Sequence, residues 1–122
     1  MNAVRGIRGA TTVEVNTAQA IREATQELVQ TIVKENSLEL EDIVSAIFTV
    51  TADLDADFPA SAAREIGWDR VPLLCTTEIP VVGSMPGCIR VLLHVNTTLS
   101  QAEIRHVYLR KAVALRQDLA AQ

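Results

Sequence analysis

The chain is 122 residues long, with 48% apolar and 21% charged residues and a net charge of −4. That length holds one ordinary domain, and the composition is that of a soluble globule, which excludes overall disorder. Eleven cations against fifteen anions exclude a broad basic face for nucleic acid, and four aromatics (Phe48, Phe58, Trp68, Tyr108) are too few for a base-stacking platform.

Residues 4–13 read as a strand interrupted by Gly6 and Gly9. Asn16 with Gln19 predicts an N-cap and its reciprocal partner, opening a helix that runs to about Glu35. Ile21, Ala24, Leu28 and Ile32 form its apolar stripe. The β-branched run 43–51 predicts a buried strand. Asp53 to Asp57 is a solvated loop. Pro59 suits the first position of a short helix over 59–66, and Gly67 suits its stop. Residues 71–77 are a further strand, followed by a turn-rich loop marked by Pro80, Gly83, Pro86 and Gly87. Residues 88–96 are a long strand, and Ser100 with Glu103 is a second capping box. Beyond 105 the pattern is mixed, with HVYL readable as strand and KAVAL as one helical turn.

The order β-α-β-α-β-β with a mixed tail predicts an α/β or α+β sheet packed by helices. One helical face leaves the other face of the sheet needing cover. Hydrophobic strands throughout point to a second copy of the chain as that cover, in a closed cyclic homo-oligomer.

No stretch approaches the ~20 apolar residues of a membrane span, and the N-terminal nine residues lack the apolar core of a signal peptide. Cys75 and Cys88, thirteen apart, form neither a disulfide framework nor a CxxC pair, so the reducing cytoplasm is the expected location. Asp53, Asp55 and Asp57 match the first ligand spacings of a calcium loop, but Phe58 stands where its glycine belongs and Arg64 where its final acid belongs. His94 and His106 lack metal-ligand spacing, so no metal is expected. The Asn96-Thr97-Thr98 sequon has no meaning without secretion, and no GxSxG, GxGxxG or Walker pattern exists. Nothing local supports a dyad of Cys75 with a histidine.

Nine of the eleven cations are arginine, the better fork for carboxylates. Arg90 lies inside the apolar strand, on one face with Cys88, Leu92 and His94 by alternation. A mid-strand arginine needs an anion, supplied by the protein or by a ligand. Arg8 shares its face with Gly6 and Ala10, whose small side chains leave the room a small anion requires. Glu78 ends a strand and is a candidate hydroxyl acceptor. Tyr108 sits in an apolar run, so its hydroxyl needs a partner if buried. Arg64 and Arg116 read equally well as surface charges.

The opening VRGIRGATTVE, the segment DFPASAAREIGW, the run VPLLCTTEIPV, the strand CIRVLLHVNT and the end IRHVYLRKAVALRQDL together resemble the monofunctional chorismate mutases of the Bacillus type. The resemblance runs from about Arg5 to Asp118. It implies a homotrimer of α+β subunits in a pseudo-α/β barrel, with sites between adjacent subunits, converting chorismate to prephenate in the shikimate route to Phe and Tyr. It implies no cofactor, because a pericyclic rearrangement needs no proton transfer and no nucleophile. Carried over by position, Arg8 and Tyr108 hold a substrate carboxylate, and Arg90 meets a carboxylate and the ether oxygen. Glu78 and the Cys75 backbone contact the ring hydroxyl. Phe58, Ala60 and Leu115 form an apolar wall, with Leu74 beside them, and Arg64 and Arg116 lie at the mouth. The family often has a small polar residue where Leu74 stands, a lysine where Ser61 stands, and LRPDL where Gln117 replaces the proline. These departures fall on the mouth and tail. Two other readings share the architecture: a trimeric enamine or imine deaminase, and a regulatory trimer binding a small anion. Fold alone separates none of these.

Period two puts Cys75 and Glu78 on opposite strand faces. Both reach one site only if the strand ends or twists between them, and Pro80 makes an early end reasonable.

Overall fold

The computed structural model describes residues 2–115. Its strands are β1 (Ala3–Thr12), β2 (Ile43–Val50), β3 (Leu73–Thr77), β4 (Cys88–Thr97) and β5 (Val107–Tyr108), and its helices are α1 (Ala18–Glu35) and α2 (Pro59–Glu65). Short 3-10 turns occupy Leu40–Asp42, Trp68–Arg70, Gln101–Glu103 and Arg110–Leu115. Every predicted element is present, and the mixed tail resolves into the two-residue β5 and the last turn.

The cap of α1 is Thr17 rather than Asn16. The Thr17 hydroxyl accepts from the Ala20 N–H at 3.1 Å. Asn16 is committed elsewhere, donating to Asp55 at 2.7 Å and accepting from the Asp55 and Ala56 N–H groups at 3.1 Å. Gln19 pairs with Glu23 instead of reaching back to the cap. The acidic loop is therefore tied down rather than merely solvated. The Ser100–Glu103 box forms as read, and Gly67, with φ at 102°, stops α2.

The five strands lie in the order β3-β2-β4-β1-β5. β4 runs antiparallel to both β1 and β2, while β3 and β5 pair parallel with their neighbours. Both helices cover one face. The predicted stripe of α1 is fully buried there, and Phe48, Trp68, Val91, Leu93 and Val95 join it in the core. The approach is close at Gly9, where a Cβ would stand 2.6 Å from Ile32 Cδ1. β2 is buried on one face only. A register irregularity between Ile43 and Ser45 lets Ile43 and Ala46 both face the helices, while Val44 is exposed. The second sheet face is open, with Val4, Leu74 and Leu92 exposed. Among the described residues no helix is long and apolar enough to cross a membrane.

The segment after β4 is fastened to β1 and α1 largely by side chains. Arg5 Nε donates to the Leu99 carbonyl, and Gln101 exchanges two hydrogen bonds with the Gly6 backbone. Buried Asn36 donates to the Ile32 and Arg105 carbonyls and accepts from the Arg105 N–H.

At the other end of β1, Gly87 (φ 63°) donates to Asp53 at 2.8 Å and accepts from the Val13 N–H at 2.8 Å. A Cβ there would meet the Val13 carbonyl oxygen at 2.6 Å. Gly87→Ala is therefore expected to cost about 2 kcal/mol or more, from left-handed strain plus displaced backbone. Thermal unfolding should show a fall of roughly 8 °C; an unchanged midpoint would contradict this account of the turn.

Candidate active site

Strand register brings the site together on the open face. Ala10 pairs with Tyr108 on one side and Arg90 on the other, and Arg90 pairs in turn with Thr49. One row along, Arg8 pairs with Leu92 and Leu92 with Ile47. Alternation keeps Arg8, Arg90 and Leu92 on this face while Val91 and Leu93 enter the core.

Glu78 comes from just beyond β3. Its N–H still donates to the Val50 carbonyl at 2.8 Å, so pairing continues for one residue before the turn-rich loop. Its carboxylate lies on the open face, where Oε1 accepts from the Thr49 hydroxyl at 2.6 Å and stands 3.7 Å from Arg90 Nε. Cys75 packs its side chain against the core cluster on the helix side. Alternation along β3, continued to Glu78, thus puts Cys75 and Glu78 on opposite faces, as period two requires. The anion required by mid-strand Arg90 is, among the described residues, Glu78.

These groups line a cleft of about 350 Å³, with Arg8, Thr49, Glu78, Arg90 and Tyr108 as its polar lining and Ile47 and Leu92 among its apolar residues. That is the lower end of the range of small-molecule sites. Among the described residues no carboxylate pairs with Arg8. Two guanidinium groups against one carboxylate leave the cleft net positive, suited to an anion. Burial pushes the Cys88 thiol up, opposed by the nearby Arg90 guanidinium. A thiol held in that form is a poor nucleophile.

The remaining sequence candidates lie outside this cleft. Phe58 is 66% exposed at the start of α2, and Leu74 is 60% exposed on the edge strand. Ala60 is buried in the chain's own core, Arg64 is exposed on α2, and Leu115 is half-buried. Arg116 lies outside the described residues. Ile47 and Thr49 line the cleft but were not anticipated. Their signal was alternation within 43–51, readable only once β2 is known to lie beside β4.

The loop flanking Glu78 carries its own titration. The hydrogen bond from Thr51 holds the Asp53 carboxyl below its ordinary value of 3.8, with backbone donors including Gly87 adding to it. A depressed folded value stabilises the fold above the unfolded value, and the contribution disappears as pH falls through the folded one. Asp53→Asn should therefore lose less stability than wild type when the pH is taken below about 4. Equal acid sensitivity in urea unfolding would count against it.

The family model described as chorismate mutase type I matches residues 4–119. A chorismate mutase AroH of Thermus thermophilus is 55% identical over 117 residues, covering 95% of this chain and 96% of that protein. A chorismate mutase AroH of Bacillus subtilis (strain 168) is 48% identical over 118 residues, covering 96% and 93%. A solved chorismate mutase from Clostridium thermocellum superposes with a TM-score of 0.88 at 53% identity, over 89% of this chain and 97% of that one.

Proposed function

The chain belongs to the type I chorismate mutases, isomerases that convert chorismate to prephenate in aromatic amino-acid biosynthesis, and from that premise we propose that the open-face cleft is where the rearrangement takes place. The observation that carries this reading is the convergence of Arg8, Arg90 and Tyr108 on one cleft with Glu78.

Chorismate is a flexible dianion. Arg8 and Tyr108 hold a carboxylate, and Glu78 with the Cys75 backbone takes the ring hydroxyl. The enolpyruvyl arm is thereby kept over the ring, a positional contribution. As the C–O bond breaks, negative charge grows on the ether oxygen. Arg90, steadied by Glu78 at its Nε, stabilises that charge more in the transition state than in the ground state. No cofactor or metal takes part, and no proton moves.

The assembly is a homotrimer with each site between adjacent subunits, and each subunit is a single domain. The open sheet face, with exposed Leu74 and Leu92, supports this reading. So does exposed Phe58, which lies outside its own chain's cleft. In the trimer, Phe58 with Ala60 behind it, Leu74 and Leu115 complete the apolar wall, while Arg64 and Arg116 stand at the mouth. The location is cytoplasmic.

The test is to mix protein with chorismate at neutral pH without metal or cofactor and follow loss of chorismate absorbance, confirming prephenate by acid conversion to phenylpyruvate. Turnover with kcat flat across neutral pH is expected. A steep bell-shaped profile would indicate acid–base chemistry and a different reaction. A folded protein that binds a bicyclic transition-state analogue without turnover would be a binding protein on this scaffold.

A further inference from the structure

We infer that His106, assisted by Gln101, is a positioning residue for Arg8. This rests on the reading that Arg8 grips substrate in the cleft.

Arg8 sits on β1 where that strand has only a fragmentary outer neighbour. β5 pairs with β1 only at Gly9 and Ala10, and the Leu109 N–H donates to the Ala10 carbonyl. One residue earlier the ladder is continued by a side chain. The Arg8 N–H donates to His106 Nδ1 at 2.9 Å. Two residues earlier still, the Gln101 amide takes the place of a strand residue. Its Oε1 accepts from the Gly6 N–H at 3.2 Å and its Nε2 donates to the Gly6 carbonyl at 2.8 Å. The backbone at Arg8 and at Gly6 before it is therefore held by borrowed side-chain groups where a strand would ordinarily hold it, while Gly9 and Ala10 after it pair with β5.

The chemistry is specific. To accept from an amide N–H, Nδ1 must carry its lone pair, so the imidazole proton sits on Nε2. Losing the bond leaves the Arg8 amide to water and lets the strand edge rock. The arginine head sits at the end of a long side chain, so a small tilt at its Cα displaces it further. Misplacement on the ångström scale costs about 10²-fold in demanding cases. The same imidazole precedes Val107 and Tyr108, so it ties the arginine and the tyrosine of one cleft to a common frame.

The test compares His106→Leu, which removes the acceptor, with His106→Asn, whose Oδ1 stands where Nδ1 did. kcat/KM for chorismate is measured beside amide hydrogen exchange at Arg8. We expect a fall of about tenfold or more for His106→Leu, with faster exchange at Arg8, and recovery of most of both for His106→Asn. A folded His106→Leu protein with wild-type kcat/KM overturns the inference. So does a His106→Asn protein that protects the Arg8 amide yet is as impaired as the leucine variant. Should His106→Leu not fold, Gln101→Ala decides, because it removes the two Gly6 bonds from an exposed turn. It should lower kcat/KM about threefold and speed exchange at Gly6, and no change in either overturns the inference. Arg8→Ala is assayed in parallel. If it keeps wild-type kcat/KM, the reading of the cleft fails. If it is impaired and His106→Leu is not, only the positioning role fails.

Discussion

Arg90→Lys is expected to lower kcat about 10²–10³-fold, the size seen when one preorganised donor to a developing oxyanion is lost, while KM moves far less. Arg90 extends from the central strand between Ala10 and Thr49, flanked by paired strands on both sides. Its Nε faces Glu78 at 3.7 Å, and the Thr49 hydroxyl steadies that carboxylate from β2. Lysine keeps the charge but has a single ammonium on a flexible stem. It must divide itself between Glu78 and the ether oxygen, whereas the planar fork reaches both. Charge on that oxygen is greatest in the transition state, so the loss falls on kcat. Steady-state kinetics with a thermal melt as a fold control decides the matter. A folded variant with unchanged kcat would remove Arg90 from the chemistry.

Asn36→Leu is expected to destabilise the fold by about 3 kcal/mol. Asn36 is 4% exposed and closes α1, its own N–H donating to the Ile32 carbonyl. Its side chain then satisfies both backbone groups of Arg105, across 69 residues of sequence. Leucine fills the volume but leaves the Arg105 N–H and carbonyl without these partners. Since Tyr108 follows three residues later, kcat/KM should fall together with stability. A fall of roughly 12 °C in the melting midpoint is the expected reading. A variant that melts within a degree of wild type would show that the 99–109 segment is held by its β1 contacts alone.

Local patterning made much of the fold legible. The α1 stripe, Pro59 and Gly67 around α2, and the Ser100–Glu103 box are signals complete within a few residues, and each produced its element. Asn16 misled because asparagine caps and cross-links equally well, and its second use depends on a loop some 40 residues away. Arg8 and Arg90 stood out as charges in apolar strands, and Glu78 by its place before Pro80. Their convergence was not legible from spacing, because it depends on β4 inserting between β1 and β2. The same insertion brings in Ile47 and Thr49. Asn36, Gln101 and His106 carry no local signature at all. Each acts on backbone groups 69 to 98 residues distant, where composition and periodicity are silent.

The central position of β4 also governs how the chain acquires its structure in time. As the polypeptide is synthesised, β1, α1, β2, α2 and β3 precede residue 88, yet among these strands only β2 and β3 pair. β1 waits for a partner whose register runs from Ala3 against Thr97 to Thr12 against Cys88. Closing so long a loop is slow in entropic terms, so refolding belongs in the millisecond-to-second regime of non-local sheets. Until the last third of the chain arrives, β1 presents two unsatisfied edges. A nascent or truncated chain ending before residue 97 is therefore the species most exposed to aggregation.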